Sequence, residues 1–183
     1  TVQTDPAGLS FTVDGTSYTG EASFTWVAGS EHTFATTSPQ SGSEGVRYLY
    51  VSWSDGGAMS HTYTTPSAGE TVTLTFNTQY ALTVESEHST ASGAGWYDAG
   101  STASFSVDPD TVTGAAGTRY VFAGWTGTGS GSYTGDIMSS SVTMNNPVTE
   151  TASWQIQYYL STAEAPDAGG DMTPAPPGAW YAA

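Results

Sequence analysis

Apolar and polar residues alternate along most of this chain. Val72, Leu74 and Phe76 interleave with Thr71, Thr73 and Thr75, and Ala152, Trp154, Ile156 and Tyr158 interleave with Ser153, Gln155 and Gln157. A period of two places each apolar set on one face of a strand. On this pattern strands are predicted near 23–27, 31–37, 46–53, 60–64, 71–77, 80–85, 102–107, 118–125, 141–145 and 150–157. Asp14-Gly15 stands between Phe11-Thr12-Val13 and Thr16-Ser17-Tyr18. Both central residues of a type I′ turn need positive φ, so the pair predicts a two-residue hairpin. No window keeps helical spacing over ten residues without Gly, Pro or a β-branched run, and almost no helix is expected. The expected fold class is all-β, built from small antiparallel modules that are β-grasp-like or Ig-like sandwiches.

The strands recur in order. Gly45-Val46-Arg47-Tyr48-Leu49-Tyr50-Val51-Ser52-Trp53 returns as Gly117-Thr118-Arg119-Tyr120-Val121-Phe122-Ala123-Gly124-Trp125, 72 residues later. Downstream, Thr78-Gln79-Tyr80-Ala81-Leu82-Thr83 matches Ile156-Gln157-Tyr158-Tyr159-Leu160-Ser161 at an offset of 78, which places a six-residue insertion within the stretch Gly127–Tyr133. Ala179-Trp180-Tyr181 echoes Gly95-Trp96-Tyr97. Such a period marks copies of one supersecondary unit. The predicted organisation is module 1 over 1–79, module 2 over 80–157, and the start of a third repeat over 158–183. The connection Asn77-Thr78-Gln79-Tyr80 holds neither Gly nor Pro, so one continuous strand is expected to pass between modules and stiffen them into a rod. The Pro- and Gly-rich stretch 163–178 reads either as a linker or as a strand–loop–strand of the third repeat.

Composition narrows the chemistry. The 183 residues carry 17 carboxylates against two cations, for a formal net charge of −15, and contain no Cys. Disulfides, thiolate metal sites and Cys nucleophiles are excluded. Both cations are Arg, so Schiff-base chemistry and Lys–Asn isopeptide cross-links are excluded as well. Little remains to neutralise phosphates, and no nucleic acid is expected as a partner. No stretch approaches the ~20 apolar residues of a membrane span, and a targeting signal or anchor is expected outside these residues. Scarce cations with abundant Ser, Thr and Gly point to an extracellular or cell-surface location. Small modules without disulfides need another source of core, and aromatic residues, 13% of the chain, supply it.

The candidate residues follow from the repeat. Arg47 and Arg119 are expected to lie along the aromatic surface of Trp53 and Trp125 on a shared strand face, ion-paired with nearby carboxylates; with Trp154 they form the expected structural core. Trp96-Tyr97 and Trp180-Tyr181, in a loop-like setting, are the candidate platforms for stacking sugar rings. Asp98, Asp108 and Asp110 are the candidate calcium ligands, although no Asp-x-Asp-x-Asp-Gly run is present. His32, His61 and His88 have no counterparts between copies, and no Gly-x-Ser-x-Gly or His-x-x-x-His motif occurs, so no enzyme is expected. Self-association through 158–183 and binding of a polysaccharide or surface receptor remain open as partner classes.

Six sets of residues resemble divergent internalin-type B-repeat modules of bacterial and some archaeal surface proteins. They are Thr4–Leu9 through Val13-Asp14-Gly15, Val51–Gly57, and Thr78–Thr83 in the first copy, with Gly95-Trp96-Tyr97, Phe122–Gly127 and Ser141–Met144 in the second. The opening hairpin is also similar to PEGA-type surface modules. The resemblance implies a stalk, adhesin segment or spacer, and carries no catalytic or binding residues to transfer. The expected function is that of a non-catalytic structural or adhesive repeat. Two alternatives stand beside it: a filament or surface-layer subunit completed by strand addition, and a carbohydrate-binding accessory module.

Overall fold

A computed structural model describes residues 1–161 and 179–183. All regular structure among them is strand, and none of it is a helix long and apolar enough to cross a membrane. The chain forms two compact units. Unit 1 comprises 1–81 together with 96–101 and 145–147, and unit 2 comprises 82–95, 102–144, 148–161 and 179–183. The stretch 163–178, read from sequence as linker or strand–loop–strand, lies outside the described residues.

In unit 1 the strands are β1 (Val2–Asp5), β2 (Ser10–Val13), β3 (Thr16–Thr19), β4 (Glu31–Ala35), β5 (Gln40–Ser41), β6 (Val46–Trp53), β7 (Ser60–Thr64) and the first part of β8 (Val72–Ser86). β2 and β3 close across Asp14 and Gly15, whose φ values of 50° and 78° are those of the expected type I′ turn. One sheet runs β3-β2-β4-β7. In the other, β6 runs antiparallel to β8, while β1 runs parallel to it from Val2 opposite Val72 to Asp5 opposite Thr75. Phe11 and Phe34 from the first sheet meet Trp53 and Leu74 from the second in a buried core. Phe34 stacks on Tyr63 at 4.5 Å, and Phe11 meets Trp53 edge-on at 6.4 Å.

Unit 2 repeats the plan with the rest of β8, β9 (Thr90–Ser92), β10 (Gly95–Asp98, of which Trp96–Asp98 belong to unit 1), β11 (Thr102–Asp108), β12 (Thr111–Thr113), β13 (Thr118–Thr128), β14 (Thr134–Gly135), β15 (Ser139–Thr143), β16 (Val148–Leu160) and β17 (Ala179–Ala182). β11 pairs with β9 and β15, as β4 pairs with β2 and β7. β13 runs antiparallel to β16, and Leu82–Ser86 of β8 runs parallel to Val148–Ala152. Phe105 meets Trp125 edge-on at 4.9 Å.

Two expectations change. Residues 23–27 form no strand: Ala22 makes a single bridge to Val2, and beyond it Phe24 and Trp26 cover the core without a ladder partner. Alternation there records two rings packed inward, stacked on each other at 4.6 Å. The second change concerns the arginines. Register slips between Tyr50 and Ser52 in β6, and between Phe122 and Gly124 in β13. Each slip is a β-bulge, and one extra residue reverses the facing of everything beyond it. Trp53 and Trp125 therefore turn into the core at 2% exposure, while Arg47 and Arg119 lie on the opposite face, across from Gln79 and Gln157. The shared face expected for each Arg and its Trp is lost to this bulge.

Candidate functional site

The two guanidinium groups sit in equivalent settings on the outer faces of their sheets. Arg47 Nε donates to Gln79 Oε1 at 2.8 Å, and its guanidinium lies 4.5 Å from the ring centre of Trp96. Arg119 Nε donates to Gln157 Oε1 at 2.8 Å, and its guanidinium lies 4.5 Å from the ring centre of Trp180. In each unit, then, the aromatic partner is the Trp of the Trp-Tyr phrase. The ion pairs among the described residues all join a His to a carboxylate, so both arginines are held by amide and indole instead of the expected acid.

Strand pairing brings these indoles into place. Trp96 lies in β10, which pairs with β8; Ala99 N donates to Thr78 O at 2.9 Å. Trp180 lies in β17, antiparallel to β16 with Ala182 opposite Gln157. The loop-like setting expected for both Trp residues is thus replaced by strand, with one ring face taken by a guanidinium. Trp96 keeps 39% exposure and Tyr181 42%. Asp98 follows Tyr97 on β10 and accepts from Asn77 Nδ2 at 2.6 Å and Gln79 Nε2 at 2.7 Å. Ala182 occupies the matching place in β17, so this polar extension exists only in unit 1.

Asp108 and Asp110 are exposed, and among the described residues no three His, Asp or Glu side chains gather as ligands for a cation. Trp154 is half-buried in β16, edge-on to Phe122 at 5.9 Å and to His88 at 5.8 Å. Its indole N–H is buried without an acceptor among the described residues. Trp53 and Trp125 behave differently, donating to the carbonyls of Met59 at 3.4 Å and Ile137 at 3.1 Å, positions that differ by one residue between the two copies.

The histidines serve three separate contacts. His88 stacks on Tyr120 at 3.7 Å, and His61 Nε2 lies 2.8 Å from Asp55 Oδ2. A Cβ on Gly57 would collide with the His61 ring, so this turn is open only to glycine. His32 lies in a hydrogen-bonded series: Asp14 Oδ2 to His32 Nδ1 at 2.7 Å, His32 Nε2 to Ser30 Oγ at 3.0 Å, and Ser30 Oγ to Thr65 Oγ1 at 3.0 Å. The His32 hydrogen bond, with the Thr33 N–H second, holds the Asp14 carboxyl below the usual range. An Asp–His–Ser order is that of nucleophilic hydrolases, but such chemistry also needs N–H donors aimed at a developing oxyanion. The adjacent N–H groups are occupied, Ser30 N by Val27 O and Gly29 N by Thr65 O. The Trp26 ring lies 3.8 Å from the imidazole. The series fastens the β2–β3 turn to the start of β4. The sequence singles out His32 as an unmatched imidazole and Asp14 only as a turn residue; the hairpin brings the two side chains together.

One further group escaped the sequence reading. Glu150 is fully buried at the position equivalent to Val72 in unit 1, an acid where the first copy has an apolar residue. Its Oε1 accepts from Tyr133 N at 2.7 Å, while its Oε2 is buried with no partner among the described residues. Burial pushes this carboxyl above its ordinary value, opposed in part by the Tyr133 N–H. Tyr133 ends the insertion, and Gly127 opens it. A Cβ on Gly127 would lie 2.5 Å from Ser132 Cβ and 2.8 Å from Glu150 Oε2, so only glycine lets the inserted loop fold back over the acid. Tyr63 also shifts: burial first, then its hydrogen bond to Glu70, pushes the phenol up to about 12. It borders a groove of about 400 Å³ that also touches Asp55, Gly57 and His61.

Comparison with protein-family models, with curated proteins and with solved structures finds no match.

Proposed function

We propose that this chain is a non-catalytic structural or adhesive repeat segment of a secreted or cell-surface protein, acting as a stalk or spacer. The observation that carries the reading is the way each Arg is capped. Unit 1 includes residues 96–101 of the second sequence repeat, and Trp96 there caps Arg47; Trp180 of the third repeat caps Arg119. A module whose last strand is finished by the following repeat is suited to an array. This matches the expectation from quasi-one-dimensional repeat proteins, in which each unit draws stability from its neighbour. The resemblance to internalin-type B-repeats points the same way, and the net charge of −15 favours solubility of an exposed segment.

The test is reach. Increasing numbers of copies of this chain are placed between a surface anchor and a tag, and antibody access to the tag above a surface polymer is measured. A spacer gives access that rises with each copy. Access that does not change with copy number rejects the reading.

In the filament alternative, Ala179–Ala182, which pairs with β16 of its own chain, would exchange onto the same edge of a neighbouring chain. Light scattering over a concentration series, with and without residues 158–183, decides it. Affinity electrophoresis on a polysaccharide panel with Trp96→Ala decides the carbohydrate alternative, and glycan retardation that the variant loses would revive it.

A further inference from the structure

We propose that each unit is a shear clamp that resists tension applied along the chain. The inference rests on the stalk reading and deepens it, since a stalk transmits force from one end to the other. It comes from which strands are neighbours. In unit 1, β1 and β8 lie side by side and parallel, with Val2 to Asp5 opposite Val72 to Thr75. In unit 2, Leu82 to Ser86 of β8 lie parallel to Val148 to Ala152 of β16. The first and last strands of the clamp are β1 and β8 in unit 1, and β8 and β16 in unit 2, where β17 follows and folds back on β16.

Tension pulls the first strand toward its N-terminus and the last toward its C-terminus. Two parallel strands pulled in this way must slide past one another, and every rung is loaded together. An antiparallel pair pulled from one end peels, and its rungs break one at a time. The clamps have four rungs in unit 1 and five in unit 2. One face of each clamp is dry: Val2, Thr4, Val72 and Leu74 are buried in unit 1, and Leu82, Val148 and Ala152 in unit 2. Water therefore reaches the rungs from one side only. On the other face each clamp carries a cross-strand side-chain bond, Gln3 Nε2 to Thr73 Oγ1 at 3.1 Å and Thr151 Oγ1 to Glu85 Oε2 at 3.4 Å. The edge of β16 beyond its clamp is taken by β17, and that of β8 by β10. β8 takes part in both clamps, with Val72–Thr75 in the first and Leu82–Ser86 in the second.

Single-molecule force spectroscopy on the full chain tests this. The chain has no Cys, so introduced thiols are unique attachment points. In one arm the handles sit at Thr1→Cys and Ser161→Cys, the outer ends of the clamp strands, so that the antiparallel β16–β17 pair lies outside the loaded path. In the other they sit at Glu44→Cys and Ala81→Cys, beside the Gly45–Ala81 hydrogen bond at one end of the antiparallel β6–β8 pair, where pulling peels β6 away. Pulled from the first pair of handles, the chain is expected to unfold in two events, each releasing about 240 Å at ~3.5 Å per residue. At one pulling speed the rupture force in that arm should exceed the peeling force by more than about twofold, because forced unfolding follows the barrier to breaking all rungs at once. Equal forces in the two geometries overturn the clamp. So does an early low-force release of a few tens of ångströms (on the ~3.5 Å per residue scale) before the main event. Matching circular dichroism of the thiol variants and the parent keeps a folding defect from imitating either result. The reach assay is independent of these forces, so a failed clamp and a failed stalk reading give different patterns.

Discussion

Glu150→Gln isolates the one buried acid of the second core among the described residues. In the native chain Glu150 is fully buried, with Oε1 satisfied by Tyr133 N–H and Oε2 without a partner among the described residues. An unsatisfied buried polar group costs about 1–3 kcal/mol, and more when charged. Gln keeps the acceptor for Tyr133 and removes the charge, so a gain of about 1–2 kcal/mol is expected at pH 7.5, some 4–8 °C in melting temperature per kcal/mol for a unit this size. The pH dependence carries the sign. The folded carboxyl titrates above its ordinary 4.5, so below that value both states hold the proton and no penalty applies. As pH rises through the folded value, the native state must ionise in a dry site and stability falls. The advantage of Gln should therefore shrink toward zero near pH 4. Glu150→Val installs the residue of unit 1 but strands the Tyr133 N–H, and should not match Gln at pH 7.5. Urea unfolding followed by hydrogen exchange in β11 and β15 peptides reads unit 2 separately. A Gln variant with the same pH slope as the parent between pH 4.5 and 8 would refute the reasoning.

Trp180→Ala and Arg119→Ala should each destabilise unit 2, with a coupling of about 0.5–2 kcal/mol in a double-mutant cycle and no effect on unit 1 amides; additive losses would separate the ring from the guanidinium. Trp53→Ala and Trp125→Ala should each cost about 3–5 kcal/mol in their own unit, read from urea midpoints, because each empties a site at 2% exposure. Asp14→Asn should remove a stabilising contribution that the parent shows near neutral pH. The folded Asp14 carboxyl lies below its ordinary 3.8, so that contribution is lost as pH falls through the folded value. Acid titration of unit 1 by tryptophan fluorescence checks it, and an unchanged acid midpoint in the variant would count against the His32 contact.

The repeat, the all-β class and the Asp14-Gly15 hairpin were legible in the residues alone, because strand period and turn chemistry are local properties. Burial of Trp53 and Trp125 was legible for the same reason. The facing of Arg47 and Arg119 was not. A single bulged residue at Val51 or Ala123 leaves the alternation of the letters intact while reversing what it means, and only the register against β8 and β16 shows the slip. The partners of the two arginines were hidden for a related reason. Trp96 is 49 residues from Arg47 and Trp180 is 61 from Arg119, and no local pattern records a pairing at that range. The same holds for β1 beside β8: alternation says that a strand exists, never which strand lies next to it or in which direction. The sequence by itself determined the elements and their repetition, through propensities that act over a few residues. Which edges meet, which ring covers which cation and where an acid is buried were decided only by tertiary packing, because those choices depend on the free energy of contacts between residues far apart in the chain.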